Sequence, residues 1–351
     1  MTERSTAQRR AAKGATMADV ARLAGVALKT VSRVVNDEPN VRDEVRARVH
    51  AAIAEAGYRP NAAARALVTS RTRTLGVVTM STTFRGPSAI LAGVEAAARD
   101  AGYGIALTRT PTGSPEAIAA AMDALVDRGV DGIVILEPAQ STATIGHETP
   151  GTPVVVFEDR PGDSADWIRV GADDVGACRE AVAHLLALGH GTVHHVAGPA
   201  GWRTSDARAE GWRTALEAAG RAVPAPVTGD WSAASGFEAG MALAARPDLT
   251  AVLCANDDMA IGLIHALEGR GLTVPGDVSV VGMDGSEVSA YLHTPLTTLA
   301  QDFEAIAREG VARLLDAVEG REPESRRVSV PVRLVVRAST DAPRIVAGEP
   351  A

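Results

Sequence analysis

Lys29, Ser32, Arg33 and Asn36 are the first residues in the chain whose types and spacing could do chemistry. They share the outer face of a helix read from Leu28 to about Asn36, with Val31, Val34 and Val35 on its inner face. Lysine and arginine donate to guanine O6 and N7, arginine in a two-pronged geometry. Serine, threonine and asparagine are small polar partners for phosphate. A second set lies far downstream. Phe84-Arg85, Asp159-Arg160, Asn256-Asp257 and Asp284 each follow a β-rich run, and Arg208 is read as beginning a helix just past Gly198-Pro-Ala-Gly201. Carboxylates and an arginine fork can engage neighbouring hydroxyls in pairs, which is what a polyhydroxyl ligand needs. Trp231 offers an aromatic face for the apolar side of a sugar ring. A solvated loop charge is the plain alternative for each residue singly, and their recurrence at successive strand ends weighs against it.

The first set needs a scaffold of short helices. Thr16-Met-Ala-Asp19 reads as an acidic capping box, and Met17, Val20, Ala21 and Ala24 then share one helical face. Gly25 and Val26 make a tight turn into the Leu28 helix, and Asp37-Glu38-Pro39-Asn40 is a loop by composition. A third helix is expected from about Asp43 to Ala56, with Val45, Val49, Ala52, Ile53 and Ala56 inward and Gly57 ending it. Helix, glycine turn, helix at this length is a helix-turn-helix, whose second helix lies along base edges in the major groove. Beyond it, Pro60 disfavours helix at Arg59, while Asn61 caps an Ala-rich run ending near Val68. That run is shorter than the roughly 12–15 residues an isolated helix needs, so it should order only when packed. Leu67 near its end suits a wedge between base steps in a minor groove; an ordinary Ala-rich linker is the alternative.

Charge supports the division. Residues 1–73 hold 14 Lys/Arg against 7 Asp/Glu, and the remainder holds 21 against 36, for a net charge of −8. A basic head on an acidic body is the electrostatic shape of a nucleic-acid-binding module joined to a non-binding one. A length of 351 residues suggests two or three domains, and with aromatics at 3% the core must be built from Leu, Val, Ile and Ala.

From Thr74 onward, β-rich runs alternate with Ala-rich helices. Strands are expected at Leu75–Met80, Ile105–Thr108, Gly132–Leu136 and Val154–Phe157, then at Val193–Ala197, near Val227, at Ala251–Ala255 and at Val278–Val281. Helices are expected between them, for example at Ser88–Ala101, Pro115–Arg128, Val175–Leu188, Ala207–Ala219 and Ala260–Gly269. Such alternation argues for parallel sheets covered on both faces, and its restart after Asp173 argues for two similar lobes. Ligands in such folds sit at the carboxyl ends of the strands, which here means the cleft between the lobes.

Several functions are set aside. No apolar run of about 18 residues exists to span a membrane. The polar, basic stretch Met1 to Ala15 does not read as a secretory signal, so a cytoplasmic location is expected and an exported binding protein is not. Cys178 and Cys254 lie far apart in apolar surroundings, without disulfide or metal spacing. His194 and His195 are adjacent in a strand and point to opposite faces, against a shared ion with His190. Asp257-Asp258 has no nucleophile–base partner and Gly198 to Ser205 lacks the Gly-Lys pair of a phosphate loop. No enzymatic activity, cofactor or metal is expected.

Thr16 to Leu67 resembles the DNA-binding head and hinge of the lactose-repressor (LacI/GalR) family, through Asp19-Val-Ala-Arg-Leu-Ala-Gly-Val26, Thr30-Val-Ser-Arg-Val34 and Gly57-Tyr-Arg-Pro-Asn61. The resemblance continues to about Ser339 in Gly229-Asp-Trp-Ser-Ala-Ala-Ser-Gly-Phe237, Ala255-Asn-Asp-Asp-Met-Ala260, Pro295-Leu-Thr-Thr-Leu299 and Gln301-Asp-Phe303. It implies a two-lobed α/β sensor core like periplasmic sugar-binding proteins, with an N-terminal all-α helix-turn-helix domain. The implied boundaries are 1–60 for the head, 61–70 for a hinge helix and 71–351 for the core. The lobes would be about 71–172 plus 303–330, and about 173–302 plus 331–340.

By the same resemblance Leu28, Lys29 and Arg33 read bases, Thr30, Ser32, Asn36 and Tyr58 touch phosphates, and Asn61, Ala64 and Leu67 belong to the minor-groove hinge. Ile90, Asp159, Arg208, Trp231, Asn256, Asp284 and Phe303 match effector-contact positions, to which the strand-end reading adds Phe84. The implied protein is a homodimeric repressor on a pseudo-palindromic double-stranded operator, controlled by a small molecule, a sugar or glycoside before a non-sugar effector or corepressor. Four positions depart from the pattern: Ala27 and Arg42 stand where capping residues are usual, Gly285 where Asp is frequent, and Met80 where sugar-responsive members carry a polar residue. The last two leave the ligand's identity open. The segment Ala342 to Ala351 lacks leucine heptads, so no C-terminal tetramerising coil is expected.

Overall fold

Thr16 starts the head. Its Oγ1 accepts from the Asp19 amide at 3.3 Å while Asp19 Oδ2 accepts from the Thr16 amide at 3.0 Å, so two amides at the start of helix α1 (Met17–Ala24) are satisfied reciprocally. Gly25, at φ 63°, ends it in the left-handed region where a Cβ would be penalised. Helix α2 (Leu28–Val35) opens on Ala27 and α3 (Asp43–Ala56) on Arg42, neither with a side-chain cap. Asp43 and Glu44 in the first turn of α3 complement its dipole instead. Val20, Val31, Val34 and Val49 close a small core with Tyr58. Arg48 on α3 donates to the Ala24 carbonyl at 2.8 Å, supplying a partner that the end of α1 lacks.

The computed structural model describes residues 15–36, 38–59, 71–80, 83–136, 149–158 and 167–344. The hinge residues Asn61, Ala64 and Leu67, and the pair Asp159-Arg160, lie outside the described residues. The chain divides into two compact units, Met1–Thr72 and Arg73–Ala351.

The second unit holds two six-stranded sheets. The first runs β11-β5-β4-β3-β1-β2, from β1 (Thr74–Thr79), β2 (Gly104–Arg109), β3 (Gly132–Ile135), β4 (Val154–Val156), β5 (Ile168–Ala172) and β11 (Arg327–Val330). The second runs β12-β10-β9-β8-β6-β7, from β6 (His194–Ala197), β7 (Val227–Thr228), β8 (Ala251–Cys254), β9 (Ser279–Met283), β10 (Thr297–Ala300) and β12 (Arg333–Val335). Every pairing is parallel except β10 with β12. Central strands are buried along their length, as expected of a parallel sheet with helices on both faces. The edge strand β2 is instead only partly buried and leaves Leu107 exposed.

The crossover helices are α4 (Arg85–Asp100), α5 (Pro115–Asp127), α6 (Asp174–Ala187), α7 (Arg203–Ala218), α8 (Ala233–Leu243) and α9 (Asp257–Gly269). Helix α10 (Phe303–Val318) follows β10 of the second sheet yet buries Ile306, Val311 and Leu314 with Leu75 and Val155 of the first sheet and Val94 of α4. The chain therefore crosses between lobes after β5, after β10 and again before β12. The strands β5, β10, β11 and β12 were not among the strands expected from composition, and the helices α8 and α10 were not among those given ranges. A further difference is at Arg208, which does not begin its helix. Trp202 is the N-cap, because it is the last extended residue, and Arg208 sits in the second turn facing inward.

Candidate functional site

In the head, Leu28 is 53% exposed, and Lys29, Arg33 and Asn36 are exposed beside it. Thr30 and Ser32 are half-buried. Arg33 pairs with Glu38 at 3.7 Å, and Arg46 donates to the Glu38 carbonyl at 3.1 Å, so the loop after α2 is tied to both helices. Val31 and Val34 in the core fix the rotation of α2, and that rotation sends Lys29 and Arg33 outward. Tyr58 is placed differently from its neighbours in the sequence reading: it is buried against the valines of the head core.

In the second unit, Phe84, Ile90 and Phe303 from the first lobe and Arg208, Trp231, Asn256 and Asp284 from the second line one cavity of about 350 Å³. Strand ends deliver them: Phe84 caps α4 beyond β1, Asn256 caps α9 beyond β8, Asp284 follows β9, and Phe303 opens α10 beyond β10. Asp159 lies outside the described residues; its neighbour Glu158 is one of the carboxylates of the cavity wall, with Asp173, Asp174, Glu210 and Asp284.

Arg208 organises the second-lobe wall. Its Nε donates to Asp174 Oδ1 at 3.0 Å, one Nη donates to the Ala255 carbonyl, and the other lies 3.5 Å from Asp284 Oδ1. Its guanidinium stands 5.5 Å from the centroid of the Trp231 ring, within cation–π range. Gln301 donates to Asp284 Oδ1 at 2.7 Å. Burial pushes the Asp284 carboxyl up to about 7 against the pull of Arg208, with the nearby Asp257 charge adding to the rise. Asp284 at φ 101° and Trp231 at φ 74° both hold backbone conformations that cost L-residues of order 1–3 kcal/mol, strain that collects at binding sites.

Asn256 is occupied with structure. Its Oδ1 accepts from the Met259 amide and its Nδ2 donates to the Trp231 carbonyl, both at 2.9 Å. Trp231 is only 6% exposed, so it offers the cavity part of its indole and not an open face. Its ring lies over Gly198, where any Cβ would fall 2.2 Å from the indole. Trp202, half-buried, meets it edge-on at 5.9 Å and meets Phe84 of the other lobe at 6.2 Å.

Trp202, Arg203 and Glu158 also line the cavity and carried no signal of their own in the sequence, and so does Gln301, which stood in a family string without a role. One signal was present: Arg169 is a charge inside β5, between Ile168 and Val170, where every residue is buried. A buried charge demands a counter-charge, and Glu158 supplies it. The histidines serve the second lobe's interior. His195 stacks on Trp212 at 5.1 Å, bonds through Nδ1 with the Leu253 carbonyl, and is pushed down to about 4 by burial. His190 bonds with Thr250 and with the Asp341 carbonyl. Among the described residues no cluster of three or more His, Cys, Asp or Glu could hold a metal, and no helix is long and apolar enough to cross a membrane.

Comparison with known proteins adds a consistent picture. Residues 16–61 match the family described as bacterial regulatory proteins, lacI family, and residues 182–340 match a periplasmic binding protein-like domain. The chain is 35% identical over 339 residues to the lactose operon repressor of Escherichia coli strain K12, spanning 96% of this chain and 94% of that one. A crystal structure of the lac repressor dimer bound to operator and the anti-inducer ONPF is similar with a TM-score of 0.84 at 34% identity, covering 94% of this chain and 100% of the other. A complex of the transcriptional regulator CelR with cellobiose is similar with a TM-score of 0.69 at 30% identity, covering 93% and 99%.

Proposed function

This chain belongs to the lacI family of bacterial regulatory proteins, and we propose that, as a DNA-binding transcriptional repressor, it reads a pseudo-palindromic operator through α2 and answers to a small sugar or glycoside in the interlobe cleft. The observation that supports the ligand class most strongly is the wall in which Arg208, Asp284 and Gln301 sit beside the Trp231 indole. It combines fixed donors and acceptors with an apolar surface, which suits a ring that is polar at its edge and apolar on its face. A cavity of about 350 Å³ has room for a small sugar. The similar CelR structure carries cellobiose, and the similar lac repressor structure is a dimer on its operator.

Two such chains would place one head on each half-site, since a two-fold protein matches a two-fold duplex. Leu28, Lys29 and Arg33 would meet base edges, with Thr30, Ser32 and Asn36 toward phosphates. A ligand binding one lobe arrangement better than another would shift the population of lobe positions and so the reach of the heads. A repressor of this kind does no bond chemistry and works where the bacterial chromosome is, in the cytoplasm.

The test has two arms. A duplex selected from a random pool by the full chain should lose about 1–3 kcal/mol of discrimination at one base position when Arg33→Ala is introduced. A thermal-shift screen should show stabilisation by a neutral mono- or disaccharide, and Arg208→Gln should remove it. Undiminished selectivity in the first arm, or stabilisation by nucleobases alone in the second, would count against the reading.

A further inference from the structure

Glu158 follows β4 in the first lobe, and its side chain is 5% exposed. One carboxylate oxygen accepts from Arg169 of the neighbouring strand β5, itself 5% exposed. That pair already balances its charge within the first lobe. A third charge nevertheless arrives from the other lobe: Arg203, the first residue of α7, brings its Nε to 2.5 Å from the second carboxylate oxygen of Glu158. The Arg203 side chain is 13% exposed, so it has given up most of its water to make this contact. Stripping water from a guanidinium is unfavourable unless charged or polar partners replace it, and the Glu158 carboxylate is a partner that this contact brings across from the other lobe. Two further contacts cross the same line, the edge of Phe84 on Trp202 at 6.2 Å and an Arg85 bond to the Gly285 carbonyl at 3.2 Å. Arg85, Arg203, Glu158 and both rings border the cavity.

We infer that Arg203 is a positioning residue of the cleft: it reaches from the second lobe to clasp Glu158 of the first and holds the two halves of the pocket together before any ligand arrives. The clasp needs only the geometry of the core, so it stands or falls apart from the identity of the ligand. Its position gives it a reporter. Of the four tryptophans, Trp202 precedes Arg203 directly, and Trp231 lies against Trp202. Opening the lobes would uncover both indoles. Closing them hides both.

The experiment uses the full chain without ligand and compares parent, Arg203→Met, Arg203→Lys, Glu158→Gln and the Arg203→Met/Glu158→Gln double variant. Acrylamide quenching of tryptophan fluorescence and the radius of gyration from small-angle scattering are the readouts. Methionine keeps much of the apolar stem and removes the charge. Arg203→Met should raise the quenching constant about twofold, as an open minority of about 10% becomes comparable with the closed state. The radius of gyration should rise with it, and Arg203→Lys should fall between Arg203→Met and parent. The double variant should open no further than the larger single, since the two residues share one contact. A cooperatively folded Arg203→Met with parent-like quenching and radius overturns the inference, and so do single effects that simply add. Should Arg203→Met fail to fold, Arg203→Lys decides, because ammonium lacks the guanidinium's donor geometry. Its quenching must still rise, and a parent-like value overturns the clasp.

Discussion

Asp284 shows how one buried residue can set the chain's response to pH. Burial raises its carboxyl to about 7, far above the ordinary value of 3.8. Below the ordinary range both folded and unfolded chains hold the proton, and the residue contributes no pH dependence. Between that range and about 7 the folded chain keeps a proton that the unfolded chain has released, so stability falls as pH rises through the window. Asp284→Asn removes this dependence while keeping an acceptor for Gln301. The stability of the parent relative to Asp284→Asn, measured by urea unfolding at pH 5 and pH 8, should therefore decline with pH; a constant or rising difference would contradict the assignment. Gly198 acts at the same scale through shape. An added Cβ would lie 2.2 Å from the Trp231 ring, so Gly198→Ala must displace the indole. Its expected signature is a changed near-ultraviolet circular dichroism spectrum and a lower Tm, and an unchanged spectrum would show the ring to be less constrained than the packing implies.

Helix α2 is the element to which the proposed function assigns recognition, and it is held by packing more than by its ends. Val31 and Val34 are buried, whereas Ala27 gives its first turn no side-chain acceptor. Ala27→Ser supplies one and should stabilise the head by about 0.5–2 kcal/mol. The check is amide hydrogen exchange in the full chain, where protection within α2 should rise by roughly 2- to 30-fold; unchanged protection would mean that serine finds no amide there. What was legible in the sequence followed this logic of ends and periods. The third helix was readable because its valine stripe and Gly57 agree on where it lies. Strands β10, β11 and β12 were not: β11 alternates over only four residues before Pro331 interrupts it, and β10 and β12 are short runs without alternation. The site was legible where a strand end announced it, as at Asn256 and Asp284. It was obscure at Glu158, because nothing in its type or spacing separates it from Asp159 beside it; the buried Arg169 that pairs with it lies on the next strand.

At the scale of the whole molecule, two units carry opposite charge. The head, Met1–Thr72, holds 13 basic against 7 acidic residues, and the core bears the acidic excess. On the proposed function, the basic unit would supply the salt-sensitive attraction to phosphates and α2 the discrimination among sequences. A chain beginning at Arg73 should still unfold cooperatively, because both sheets and their covering helices are complete without the head. The most direct test compares that shortened chain with the full one on a duplex selected by the full chain and on a scrambled duplex, by fluorescence anisotropy at fixed salt. The full chain should prefer the selected duplex by about 10³-fold or more, and the shortened chain should show no preference. If the shortened chain discriminated between the duplexes as well as the full chain, reading of DNA by the head would be ruled out.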